Sequence, residues 1–169
     1  GYADLRQAII TKFKRDNGLD YAANQIVVST GAKQSIANVC MVLLNPGDEV
    51  LLPAPYWVSY SAIATLAEAK STIIPTSIDN DFKITPKQLE AAISPKTKLI
   101  MFNSPNNPSG TIYTEEEYRA LGKVLEKYPG IYIMSDEIYE HINYGTPHFS
   151  IAAIPSLYDR TITVNGVAK

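Results

Sequence analysis

A chain of 169 residues with 46% hydrophobic and 19% charged residues has the makeup of an ordinary globular domain with one core. A net charge of -2 without a basic tract excludes a nucleic-acid or anionic-membrane binder, and the apolar runs fall short of a membrane span. Residues 4–16 are charged and amphipathic, unlike a secretory signal, and the single cysteine, Cys40, has no partner within the chain, so a reducing, cytoplasmic setting is expected.

Taken in chain order, Leu5, Ala8, Ile9 and Phe13 recur at helical spacing and predict a helix between Asp4 and Gly18. The β-branched run Ile26-Val27-Val28-Ser29-Thr30 predicts a strand stopped by Gly31. Residues 33–44 predict a helix closed by Asn45-Pro46-Gly47, with Cys40 as a small core residue inside it. Residues 48–55 predict a second strand, 57–68 a helix and 70–76 a third strand. Thr85-Pro86 offers a cap and a first-turn proline to a helix over 86–93. A fourth strand is predicted at 98–105, and Thr114 with Glu117 forms the capping box of the helix behind it. Residues 131–136 and 161–165 supply the fifth and sixth strands. Strands alternating with helices predict an α/β fold: a mostly parallel sheet with helices on both faces and no internal linker.

Ligands of such sheets lie beyond the carboxyl ends of the strands, and each end here carries different chemistry. Ser29-Thr30-Gly31-Ala32-Lys33 opens a helix, where backbone N–H groups attract a phosphate. Pro53-Ala54-Pro55-Tyr56-Trp57 brings the only tryptophan. Asn103 to Gly110 form a loop with two X-Pro bonds, Ser135-Asp136 is followed by Tyr139, and the last strand leads to Asn165-Gly166-Val167-Ala168-Lys169. Each feature alone has a plain alternative. Asp136 or Glu137 can cap the segment after a strand, Trp57 can be core, and Asn-Pro can be turn chemistry. Together they describe a site for a planar, phosphorylated aromatic aldehyde, with an acid for the ring nitrogen and a lysine for the imine. His141 and His148 are too isolated to argue for a metal, and none is expected. No G-x-G-x-x-G follows the first strand, which weakens a dinucleotide-binding reading.

The stretches PYW, SPNNPSG, SDEIYE and VNGVAK resemble the pyridoxal-phosphate-dependent class I aminotransferases, and within them the prokaryotic aspartate aminotransferase subgroup. The resemblance runs along the whole chain. It implies that residues 1–169 are the pyridoxal-phosphate-binding large domain of a fold-type I enzyme, truncated at both ends, without the family's N-terminal segment and C-terminal small domain. It implies amino-group transfer between an amino acid, aspartate first, and a 2-oxo acid, by a cytoplasmic homodimer. By the same resemblance Lys169 forms the Schiff base and shuttles the proton, Asp136 pairs with the pyridine nitrogen, and Tyr139 donates to the ring oxygen. Asn107 shares that oxygen and touches the substrate carboxylate, and Trp57 stacks on the ring beside the substrate. Gly31, Ala32 and Lys33 cradle the phosphate, and the Lys33 ammonium is a candidate for a distal substrate carboxylate. Gly166 and Ala168 stand where many relatives have serines, one of which binds phosphate. The resemblance also implies cis bonds at Ala54-Pro55 and Asn107-Pro108. Related folds leave two other functions open: a pyridoxal-phosphate-dependent lyase, or the effector-sensing domain of a transcription regulator.

Overall fold

A computed structural model describes residues 1–167 of the chain. Helices α1 (Ala3–Asn17) and α2 (Ala32–Leu43) come first, followed by β1 (Glu49–Pro53), α3 (Ser59–Leu66) and β2 (Lys70–Ile74). Then come α4 (Pro86–Ala92), β3 (Thr97–Asn103), α5 (Glu115–Leu125), β4 (Tyr132–Asp136) and β5 (Thr161–Val164). Local chemistry sets several of these limits. Gly18, at φ 67°, ends α1 by donating its N–H to the Phe13 carbonyl. Thr114 and Glu117 exchange the two bonds of a capping box at α5, and Thr85 and Gln88 do the same at α4.

The five described strands are parallel, in the order β2-β1-β3-β4-β5. From β1 the chain moves outward to β2, then returns past β1 to β3 and continues to β5. A right-handed crossover places its helix on opposite faces for opposite directions of travel. The packing agrees. Val50, Leu52, Leu99, Met101 and Met134 meet α2 and α3 on one face, through Ile36, Cys40, Tyr60, Ile63 and Ala64. Leu51, Ile100, Phe102 and Ile133 meet α4 and α5 on the other, through Leu89, Tyr118, Leu121 and Leu125. Both faces are covered, so both sets of alternating side chains are apolar and the strands read as continuous runs.

One predicted strand is absent. Residues 26–30 share no ladder register with any described strand, and their backbone is not assigned to one. β-Branched composition favours an extended backbone, but a strand also needs a neighbour to pair with. Ile26 is buried while Val27 is 78% exposed, so the run packs on one side only. The Ser29–Lys33 segment therefore reaches the sheet rim through α2, which packs against the β1–β3–β4 face, and not through a strand of its own.

Candidate active site

The chain leaves β1 for α3 on one face and β3 for α5 on the other, so the connections at their carboxyl ends part and open a crevice. Pro53 and the segment to Trp57 lie on one side of it, and Asn103 and the loop to Gly110 on the other. Ala54-Pro55 and Asn107-Pro108 are both cis, as the family resemblance implies, and Ser104-Pro105 is a third cis bond. The Asn106 side chain ties the two sides together. Its Nδ2 donates to the Pro55 carbonyl at 3.3 Å, while its Oδ1 accepts from the Ser109 N–H and hydroxyl.

At the end of β4 successive side chains point to opposite faces, and the two adjacent acids separate. Glu137 turns inward and is 1% exposed. Its Oε1 accepts from the hydroxyls of Ser135 at 2.9 Å and Ser150 at 2.6 Å, and its Oε2 lies 3.0 Å from His148 Nε2. It caps nothing. Asp136, 4% exposed, receives the Tyr60 hydroxyl on Oδ2 at 2.6 Å. Its Oδ1 accepts the Ile138 N–H at 3.3 Å, a long capping bond. Asp136 therefore caps the turn and also presents a charge held by a buried phenol. Burial, and then the Asp136 charge, push the Tyr60 hydroxyl far above its ordinary range, so Tyr60 remains a donor.

Tyr60 is a site residue that sequence reasoning missed. The available signal was the spacing Trp57-x-x-Tyr60, which puts two aromatic rings on one side of a helical turn. The rings meet edge to face, with centroids 5.6 Å apart at 89°. The Lys33 ammonium lies 5.0 Å from the centroid of the Trp57 ring.

Asn103 pairs with Asp136 in the β3–β4 register. Its Nδ2 donates to the Asp136 carbonyl at 2.9 Å, and its Oδ1 accepts the Asn107 N–H at 2.7 Å. The Asn107 side chain makes no hydrogen bond to another described residue and is partly buried at the crevice. Tyr139 is partly buried, close enough to Tyr60 to oppose its ionisation, and lines an open cleft with Pro105, Ser109, Gly110 and Thr111. Lys33, Trp57, Tyr60, Asp136, Asn103 and Asn107 thus form one unbroken series of contacts.

The helix end beside Trp57 has the expected donors, with one adjustment. Gly31, at φ 86°, spends its N–H on the Ser29 carbonyl at 2.9 Å, so its role is to turn the chain. Ala32 and Lys33 are the first two residues of α2, whose N–H groups have no acceptor inside the helix. The Ser29 hydroxyl is buried with no hydrogen-bond partner among the described residues. A Cβ on Gly166 would meet the Ile138 Cδ1 at 2.7 Å, so a side chain there must displace that methyl. Lys169, with Ala168, lies outside the described residues.

Glu137, Glu140 and His148 bring ligand-type atoms within 4.8 Å of one another. The Lys12 ammonium already contacts Glu140, and Asn17 and Asn165 donate to the same carboxylate. An ammonium in that position opposes a cation, and the cluster is a hydrogen-bonded hub.

A family model described as "Aminotransferase class I and II" matches residues 1–169. An aspartate/prephenate aminotransferase of Nitrosomonas europaea is 51% identical over all of this chain and 43% of its own length. The crystal structure of an aspartate aminotransferase from Rhizobium meliloti superimposes with a TM-score of 0.98 at 46% identity, covering all of this chain and 43% of that one. An aspartate aminotransferase from Thermus thermophilus with maleate gives 0.95 at 39% identity, over all of this chain and 44% of that one. The chain spans less than half the length of these relatives. Because that family model matches the chain over residues 1–169, the chain belongs to the class I and II aminotransferases.

Proposed function

We propose that residues 1–169 are the pyridoxal-phosphate-binding part of a longer aminotransferase, which moves an amino group between aspartate and a 2-oxo acid. The observation that carries this reading is the contact series from Lys33 through Trp57, Tyr60, Asp136 and Asn103 to Asn107 at the sheet's switch point. Its donors suit the cofactor part by part. The Ala32 and Lys33 N–H groups and the Ser29 hydroxyl, which has no partner among the described residues, suit an anionic phosphate at a helix start. Trp57 suits an aromatic face, Asp136 a protonated ring nitrogen, and the Asn107 amide with the Tyr139 phenol a ring oxygen.

Pyridoxal phosphate, when bound, supplies a carbonyl for the amino group and a ring that takes up the electrons released at the substrate Cα. Asp136 would hold a proton on the ring nitrogen, with its carboxylate fixed by the Tyr60 donor. Trp57 covers the ring and excludes water from one side. Asn107 orients the substrate carboxylate, and Lys169 provides the amine that takes and returns the Cα proton. The relatives named for aspartate support aspartate as the donor. The whole chain acts as a homodimer in the cytoplasm under this reading.

The test uses the full-length protein, saturated with pyridoxal phosphate and given aspartate and 2-oxoglutarate. Oxaloacetate should form, and both turnover and the bound-cofactor absorbance should be lost in Lys169→Ala. A full-length protein that binds the cofactor but makes no oxaloacetate rules out aspartate as donor. Failure to bind the cofactor removes the reading altogether.

A further inference from the structure

Asn103 touches no proposed ligand yet holds, through hydrogen bonds, two residues that do. Asn103 ends β3 and is 5% exposed. A buried amide is costly unless its polar atoms are paired, and both ends of this one are. The partners fix its orientation, because the Asn107 N–H can only donate and the Asp136 carbonyl can only accept. The Ser104 N–H adds a second donor to that carbonyl at 3.2 Å. A residue needed only to end the strand has no call for these two arms. Asparagine here reaches four residues ahead along its own chain and across to the neighbouring strand at once.

We propose that Asn103 is a positioning residue, which sets the spacing between Asp136 at the ring nitrogen and Asn107 at the ring oxygen. This rests on the pyridoxal phosphate reading above. Asn103 itself contacts neither substrate nor cofactor. It couples the β3 loop to the β4 end, so that a displacement of one contact residue is felt by the other.

The experiment uses the full-length protein and two readouts other than turnover: the dissociation constant of pyridoxal phosphate from the apoprotein, and the pH midpoint of the bound-cofactor absorbance. Asn103→Leu keeps similar volume and removes both arms. Loss of a buried hydrogen bond's alignment should weaken cofactor binding roughly tenfold. The absorbance midpoint should rise by about one unit, because the Asn107 amide no longer shares the ring oxygen. In an Asn107→Ala background the same substitution should move the midpoint far less, as required if Asn103 acts through Asn107. Asn103→Asp keeps the acceptor for the Asn107 N–H and, when protonated, restores a donor toward the Asp136 carbonyl. It should approach wild-type behaviour as pH falls and depart from it as pH rises. If Asn103→Leu does not fold, Asn103→Asp decides the matter by the same two readouts. Folded variants with the wild-type dissociation constant and midpoint, even with lower melting temperature, overturn the inference and leave Asn103 a strand-end residue. A wild-type protein without a cofactor band fails earlier, at the functional reading itself.

Discussion

Asp136 and Tyr60 form the hydrogen-bonded acid–phenol pair on which the proposed electronics depend, and their separate deletions should differ in kind. Under the proposed function, Asp136→Ala would leave the ring nitrogen of bound pyridoxal phosphate without an anion at the moment charge enters the ring. The loss should fall mainly on kcat in the full-length enzyme, by two to four powers of ten, or about 3–5 kcal/mol. Tyr60→Phe keeps the carboxylate and removes one hydrogen bond to it, a change worth roughly 1.5–3 kcal/mol for a buried charged acceptor. Its kcat should fall roughly tenfold to a hundredfold with the cofactor retained. Steady-state kinetics of both variants and of the double variant check this: if Tyr60→Phe lowers kcat by the same factor in the Asp136→Ala background as in the wild type, the phenol does not act through the acid. Cys40 gives a simpler residue-scale outcome. Its thiol is fully buried, and burial pushes its pKa up to about 11. At pH 8 the thiol is protonated as well as inaccessible, so an alkylating reagent should label it only after unfolding. Rapid labelling of the native protein by mass spectrometry would contradict the packing of α2 on the sheet.

Helix limits were legible in the sequence because caps are local: Thr114 with Glu117, Thr85 with Gln88, and Gly18 each act within a few residues. Thr114→Ala should cost about 1 kcal/mol in denaturant unfolding, since it frees the Glu117 N–H at the start of α5. Glu117 itself should cost more when changed to alanine, because it also pairs with Lys83 at 2.8 Å beneath the same helix. Features that depend on a neighbour were less legible. Residues 26–30 have the composition of a strand, and nothing local says whether a strand will lie beside them. The same limit explains the site. Asp136, Trp57, Asn107 and Tyr139 could be named from their place at strand ends and from family motifs. Tyr60 and Asn103 act through partners 76 and 33 residues away, a distance at which no periodicity or capping rule operates. By sequence Glu137 can share the capping role of Asp136, and only the alternation at the end of β4 sends it to a different network.

At the scale of the molecule, Glu140 joins parts that no element connects. Glu140 is 5% exposed, and its carboxylate meets Lys12 and Asn17 of α1, His141 beside it at 3.2 Å, and Asn165 just beyond β5. The N-terminal helix, the end of β4 and the segment leading toward Lys169 are therefore held by one anion. Burial alone would raise the Glu140 pKa, but the hydrogen bonds from Asn17, Lys12 and Asn165 and the Lys12 charge outweigh it, and the net shift is downward. A carboxyl whose folded pKa lies below its unfolded value contributes stability that is present above the unfolded value. That contribution is lost as pH falls through the folded one. With an ordinary glutamate at 4.5, the loss should begin near that pH and grow below it. Glu140→Gln keeps the size and one acceptor oxygen but removes the charge. In the full-length protein it should cost roughly 1.5–3 kcal/mol at pH 7, as for hydrogen bonds to a charged group. The cost should shrink below the pH at which the wild-type carboxyl takes up its proton. Lys12→Met leaves the anion buried beside two amides and a histidine, and at pH 7 should be at least as damaging. Urea unfolding of the three proteins from pH 7 down to pH 3 measures this directly. If the wild-type and Glu140→Gln stabilities fall in parallel over that range, Glu140 is a neutral spacer and the three segments are held by packing alone.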